Sequence, residues 1–208
     1  MRIIVGCLLL VTFCLAGVCA AGEGAWEDIG YGIGAKEYLS IAGGKDRADS
    51  VYVGTSDGLY TMDEDAEWGR IFTCRGQDRG VNHIHVDDSG EVYLATNSGL
   101  YRSKDSGKTW ERAFKGKGAE DKATYVVCRT AGEPLYLGTH RGLFRSKDGT
   151  TWQKSSGVLA GSKIISIALT DQMVFVLTDG GLYRATKDIK SYRKILGTDI
   201  SNIRGEGT

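Results

Sequence analysis

A short pattern returns along this chain at a near-constant interval. Ala95 to Trp110 (ATNSGLYRSKDSGKTW) reads as a strand end, a tight turn, a second strand and a polar turn that delivers a tryptophan. Its first half recurs as GTSDGLY from Gly54, GTHRGLF from Gly138 and LTDGGLY from Leu177, and its second half as SKDGTTW from Ser146. The anchors Gly54, Ala95, Gly138 and Leu177 stand 41, 43 and 39 residues apart. A repeat of about 40 residues holding several short strands is one unit that cannot bury its faces until neighbours stack on it. The expected fold class is therefore all-β: a β-propeller of four-stranded antiparallel blades, with about four repeats and partial strands at both ends.

Within each repeat, apolar runs of a few residues, rich in β-branched and aromatic side chains, are bounded by Gly, Asp, Asn and Ser. That is the grammar of short strands and tight turns. Blades are expected at 36–74, 81–114, 124–154 and 163–195. Gly58, Gly99, Gly142 and Gly181 hold one place in every repeat, which points to a turn needing positive φ. The column Tyr60, Tyr101, Phe144 and Tyr183 is read as core. Trp26 begins a lone strand in the register of Thr109 to Phe114, and Asp199 to Thr208 starts what reads as a further inner strand. The circuit is then either a short ring or an incomplete arc. No linker or sustained helical period divides residues 21–208, so a single repeat domain is expected.

Residues 1–20 read as a signal peptide: Arg2 precedes the apolar run Ile3 to Leu15, and Val18-Cys19-Ala20 is a small-residue cleavage site. The run is shorter than the roughly 18 residues that a membrane span needs, so a secreted or periplasmic chain without a span follows. Leu15 to Cys19 approximates a lipoprotein signal, but Val18 stands where cysteine should directly follow Gly17, which makes a lipid anchor the minor alternative. The 26 basic residues balance 26 acidic ones, leaving no global attraction for nucleic acid. Cys74 and Cys128 are the cysteines beyond the leader. They fall on outer and inner strands two blades apart and are read as unpaired packing thiols, with a disulfide as the alternative.

Ser103, Asp105, Gly107 and Trp110 match the pattern S-x-D-x-G-x-x-W, and Ser146, Asp148, Gly149 and Trp152 form a version one residue shorter. Met62 to Trp68 keeps acidic residues and the tryptophan, while Ala185 to Ile189 keeps Asp188, with Tyr192 as a stand-in for the tryptophan. The chain thereby resembles the Asp-box, or bacterial neuraminidase repeat, β-propellers, a scaffold shared by sialidases, other glycoside hydrolases, sorting-receptor ectodomains and photosystem assembly factors. The resemblance implies that these eight residues are structural and lie between third and fourth strands, opposite the usual active-site face. Physically, the aspartate accepts N–H bonds of its own turn, the glycine permits the bend, and the tryptophan fills an apolar gap between blades. A sialidase would bring three arginines, a tyrosine with a glutamate partner, and a catalytic aspartate. No motif assigns them here, and no catalytic residue is carried over.

Loops joining second to third strands, and each outer strand to the next inner one, share one face. Arg75, Arg79, His140 and Arg141 are the cationic group there best suited to an anionic partner or sugar acid, against the alternative of an ordinary solvated rim. Asp57, Asp78 and Asp179 fall on the same face, where a retaining glycosidase needs two carboxyls roughly 5 Å apart. His83 and His85 point to one side of a strand and with Cys128 could hold a metal. The equivalent columns carry Leu39 and Ile41, Val126 and Cys128, and Ile165 and Ile167, so packing is the reading adopted and no metal is assigned. No phosphate loop, zincin, serine-elbow or dinucleotide motif calls for a cofactor. The functional expectation is an exported, non-enzymatic module that binds a protein or glycan. A sialidase-like hydrolase fragment and an oligomerising structural propeller, partnered by its own copies, are the alternatives.

Overall fold

The computed structural model describes residues 32–35, 37–45, 50–62, 67–73, 80–116, 124–128 (backbone) and 133–197, and among them sixteen strands form four sheets. The first sheet holds β1 (Tyr38–Gly43), β2 (Val51–Thr55), β3 (Leu59–Met62) and β4 (Trp68–Phe72). The second holds β5 (Val81–Val86), β6 (Val92–Thr96), β7 (Gly99–Ser103) and β8 (Glu111–Phe114). Next come β9 (Thr124–Cys128), β10 (Leu135–Thr139), β11 (Gly142–Ser146) and β12 (Gln153–Lys154), and last β13 (Ile164–Leu169), β14 (Met173–Thr178), β15 (Gly181–Thr186) and β16 (Tyr192–Gly197). Each sheet is an antiparallel meander in chain order, a blade-like unit. Pro134, which lacks an N–H to donate, sits just ahead of β10, and Trp110 and Trp152 immediately precede β8 and β12. The leader, the Trp26 strand, Cys74, Arg75, Asp78, Arg79 and Asp199 to Thr208 lie outside the described residues.

First strands run side by side, β1 against β5, β5 against β9 and β9 against β13, so that each sheet lays one face on the next. Three apolar layers result. Tyr52, Leu59 and Phe72 meet Val81, Ile84 and Leu94 between the first two sheets. Tyr93, Leu100 and Phe114 meet Leu135, Leu137 and Phe144 between the middle two, and Tyr136 and Leu143 meet Ile164, Val174 and Val176 between the last two. Because the two middle sheets are covered on both faces, β6 and β10 are buried at every position, whereas β14 alternates buried and accessible residues. On the first sheet's outer face, Val53 and Tyr60 are covered by Ile33 and Ala35.

Two columns show how close this stacking is. A Cβ on Gly54 would lie 2.7 Å from the Val81 carbonyl oxygen, and one on Gly138 would lie 2.5 Å from the Ile164 side chain. Ala95, at the matching place in β6, is wholly buried. The next first strand therefore rests directly on Gly54 in the first sheet and on Gly138 in the third. In the fourth sheet the column carries Leu177, which is 39% exposed, beside Ile165 at 48% and Leu196 at 58%. The outer face of that sheet is apolar and uncovered among the described residues.

Candidate functional site

Each turn from second to third strand is fixed by the threonine that ends the second strand. The hydroxyls of Thr55, Thr96, Thr139 and Thr178 donate to the carbonyls of Gly58, Gly99, Gly142 and Gly181 at 3.0, 2.7, 3.1 and 2.9 Å. They accept from the backbone N–H of Asp57, Ser98, Arg141 and Gly180 at 3.3, 3.2, 3.1 and 3.1 Å. All four glycines have positive φ, between 126° and 158°. Glycine is required twice over, since a Cβ on Gly58, Gly99 or Gly181 would also strike the Phe72, Phe114 or Leu196 carbonyl oxygen at 2.1 to 2.3 Å. The glycine column was legible in the sequence. The threonine column, four residues long and signalled by Thr-x-x-Gly, went unread.

On this rigid frame His140 is half-buried and Arg141 exposed at the β10–β11 turn. Asn97 accepts from Asn82 at 2.6 Å, and the Asp179 N–H donates to the Lys163 carbonyl at 3.2 Å, tying these turns to the loops that enter β5 and β13. Arg75 and Arg79, the other half of the cationic group expected here, lie outside the described residues, as does Asp78. Asp57 is spoken for: Thr55, Tyr60 and Arg70 contact its carboxylate at 2.6, 3.2 and 3.0 Å. The Thr55 bond above all, with Tyr60 and the Arg70 charge, holds its pKa below the ordinary carboxylate value. General acid catalysis needs the opposite displacement.

The turns between third and fourth strands lie at the other edge. Ser103 donates to Asp105 at 2.8 Å and accepts from the Gly107 N–H at 2.8 Å; Asp105 in turn accepts from the Thr109 N–H and hydroxyl at 2.8 and 2.6 Å. Those Thr109 bonds, with Ser103, bring the Asp105 pKa down to about 2. Ser146 and Asp148 repeat the arrangement, with Asp148 accepting from the Thr150 and Thr151 N–H groups at 2.8 and 2.7 Å, and its pKa is also lowered, the Thr151 N–H first among the causes. In the fourth sheet Thr186 takes the serine's part, donating to Asp188 at 2.5 Å, and buried Ile189 stands near the glycine's place with φ 54°. Trp110 packs on Phe72 of the preceding sheet and Trp152 on Phe114, at ring-centroid distances of 5.1 and 5.6 Å.

His83 and His85 face the layer between the second and third sheets, beside Ala95 and Tyr93. Burial, then the neighbouring His85 charge, lowers the His83 pKa, and its Nδ1 has no hydrogen-bond partner. No group of three His, Cys, Asp or Glu side chains among the described residues is placed to hold a metal ion. No described helix is long and apolar enough to cross a membrane.

No family profile and no curated sequence matches the chain. Solved structures do match in fold. Virginiamycin B lyase from Staphylococcus aureus superposes with a TM-score of 0.65 at 12% identity, over 79% of this chain and 57% of the lyase. An ancestral GH74 enzyme gives 0.64 at 15% identity, over 76% of this chain and 25% of that one. The extracellular domain of a hybrid two-component system from B. thetaiotaomicron gives 0.65 at 19% identity, over 81% and 23%. At these identities the likeness is one of fold. The chain spans little more than half of the lyase and about a quarter of the other two. Enzymes and extracellular domains of signalling systems share this blade-like architecture, so fold alone does not choose between catalysis and binding.

Proposed function

We propose that the chain is an exported, propeller-type binding module that displays turns from the edge carrying His140 and Arg141 to a protein or glycan partner, without performing chemistry on it. The observation that carries this reading is the threonine–glycine clasp repeated in all four sheets. It holds the turns rigid, so little ordering entropy is lost when a ligand docks. Arg141 is exposed and of the residue type that pairs with a carboxylate or sulfate, and Arg75 and Arg79 belong to the same proposed surface. The aspartate turns at the opposite edge act as scaffold. Among the described residues, every carboxyl group with a displaced pKa is displaced downward, which suits anchoring rather than proton transfer. Screening the chain and its Arg141→Glu variant on arrayed neutral and acidic glycans tests the reading. Binding that the substitution reduces about tenfold supports it; binding indifferent to that substitution removes Arg141 from the surface.

Self-association is a second reading, favoured by the face of the fourth sheet that no described residue covers. Ile165, Leu177 and Leu196 are 48%, 39% and 58% exposed there, on a sheet whose counterparts inside the stack are covered. Light scattering should then give a mass above that of one chain, and Leu177→Glu should return it to one.

A further inference from the structure

Arg102 and Arg145 hold the same position in β7 and β11, each opposite a tyrosine of the preceding strand, Tyr93 and Tyr136. Their surroundings differ in charge. In the second sheet Glu91 accepts from Arg102 Nε at 2.9 Å and from Nη2 at 2.6 and 2.8 Å. Glu111, directly opposite Arg102 on β8, lies 3.7 Å from Arg102 Nη1 and 3.7 Å from Lys104 Nζ. Two cations are thus matched by two carboxylates.

In the third sheet neither carboxylate answers Arg145 in that way. Opposite it on β12 stands neutral Gln153. Pro134 holds the place of Glu91, two residues before the tyrosine, and Glu133, one residue earlier, instead accepts from Lys187 beside the fourth sheet at 2.6 Å. The Tyr136 hydroxyl beside Arg145 donates to the Lys187 carbonyl at 2.7 Å, and Asp188 reaches Arg145 by its charge alone. Arg145 Nε is buried without a hydrogen-bond partner, while the guanidinium lies close enough to the Tyr136 hydroxyl to interact with it. A groove of about 310 Å³ opens here, lined by Arg145, Lys147, Asp148, Thr151, Trp152 and Gln153. Its one acid is committed, because Asp148 Oδ1 takes bonds from Ser146, Thr150 and Thr151.

We propose that this groove binds the carboxylate or sulfate of an acidic saccharide, the ligand's anion standing beside Arg145 and Lys147 where the second sheet has its own glutamates. No described carboxylate is hydrogen-bonded to the half-buried Arg145, and an oxyanion in the groove gives the accessible part of its guanidinium a charge-assisted partner, as Glu91 does for Arg102. The volume suits one sugar ring, Gln153 offers an amide partner for its hydroxyls, and Trp152 gives an apolar wall. The site lies at the aspartate-turn edge, opposite the His140 and Arg141 edge, and is independent of the function proposed for the latter.

The test is a titration of the full chain with sodium glucuronate, glucose and sodium sulfate, following the Arg145 Nε–H resonance by NMR. Glucuronate should shift it saturably and glucose should not. Gln153→Glu restores the acid of the second sheet at an exposed position, and should weaken glucuronate about tenfold or more, as should Arg145→Gln. Lys104→Gln should leave the affinity unchanged. No saturable shift, or an affinity untouched by Gln153→Glu, overturns the proposal. Sulfate binding as tightly as glucuronate overturns the saccharide assignment.

Discussion

The indole N–H of Trp152 donates to the carbonyl of Ala113 across the boundary between the third and second sheets at 2.9 Å. Trp110, its counterpart one repeat earlier, donates to Gly107 within its own turn at 3.0 Å. Both rings pack on a phenylalanine of the preceding sheet, yet only one pins two sheets with a hydrogen bond. Trp152→Phe keeps an aromatic ring against Phe114 and deprives the Ala113 carbonyl of its donor, so it should cost about 1–2 kcal/mol in urea unfolding. The same change at Trp110 severs a bond within a single turn and should cost less. Equal losses would mean that the bond to Ala113 contributes nothing beyond packing.

A side chain at Gly99 meets two obstacles, a φ of 136° and the Phe114 carbonyl oxygen 2.3 Å from its Cβ. Gly99→Ala should therefore lose at least about 2 kcal/mol. Gly161 has a negative φ, −116°, that other residues also adopt, and nothing within 4 Å of a Cβ, so Gly161→Ala should be neutral or slightly stabilising. Thermal unfolding of the two variants side by side checks the contrast.

The glycines were readable because they serve a local need: a turn with positive φ admits few other residues, and four copies in phase leave no other economical explanation. The repeat and its strands followed from the same periodicity. Partner choice between repeats was not readable. Glu91 stands two residues before Tyr93 and Glu133 three before Tyr136; the offset is visible in the sequence, but that one binds Arg102 of its own sheet and the other Lys187 beside the next depends on how neighbouring sheets meet. The threonine clasp escaped because threonine is also an ordinary strand residue. Thr186 doing the work of a serine and Ile189 standing near a glycine escaped for a similar reason: the turn keeps its hydrogen bonds while its sequence signature fades. Of the cationic group expected at one edge, His140 and Arg141 are placed on a shared turn, while Arg75 and Arg79 lie beyond the described residues.

Leu59, Leu100 and Leu143 fill one column between adjoining sheets and have no exposed surface, while Leu182, at the same place in the fourth sheet, is partly accessible. Leu100→Ala should cost about 2–5 kcal/mol and Leu182→Ala about 1 kcal/mol. Urea midpoints that fall equally for both would show that the outer face of the fourth sheet is covered in solution.

The aspartates of the third-to-fourth strand turns also predict an acid response. Asp105 falls from 3.8 to about 2 on folding, and Asp148 is lowered as well. A carboxylate depressed in the folded state stabilises fully above its unfolded pKa and loses that contribution as pH falls through the folded one. Stability should therefore decline as pH drops from about 4 to about 2, and a doubly substituted Asp105→Asn, Asp148→Asn chain should show a shallower decline. Unfolding midpoints measured across that range decide the matter; identical slopes would mean that the turn bonds do not persist in solution.

A module that displays its turns without chemistry leaves its ligand unchanged, which product analysis checks. The chain would be incubated with any glycan that it retains on an array, and the glycan's mass followed by mass spectrometry over many times the residence time of the complex. The ligand should be recovered intact. Cleaved or eliminated product in excess of the protein, lost on substitution of a carboxylate at the His140 and Arg141 edge such as Asp57 or Asp179, would contradict it and establish an enzyme.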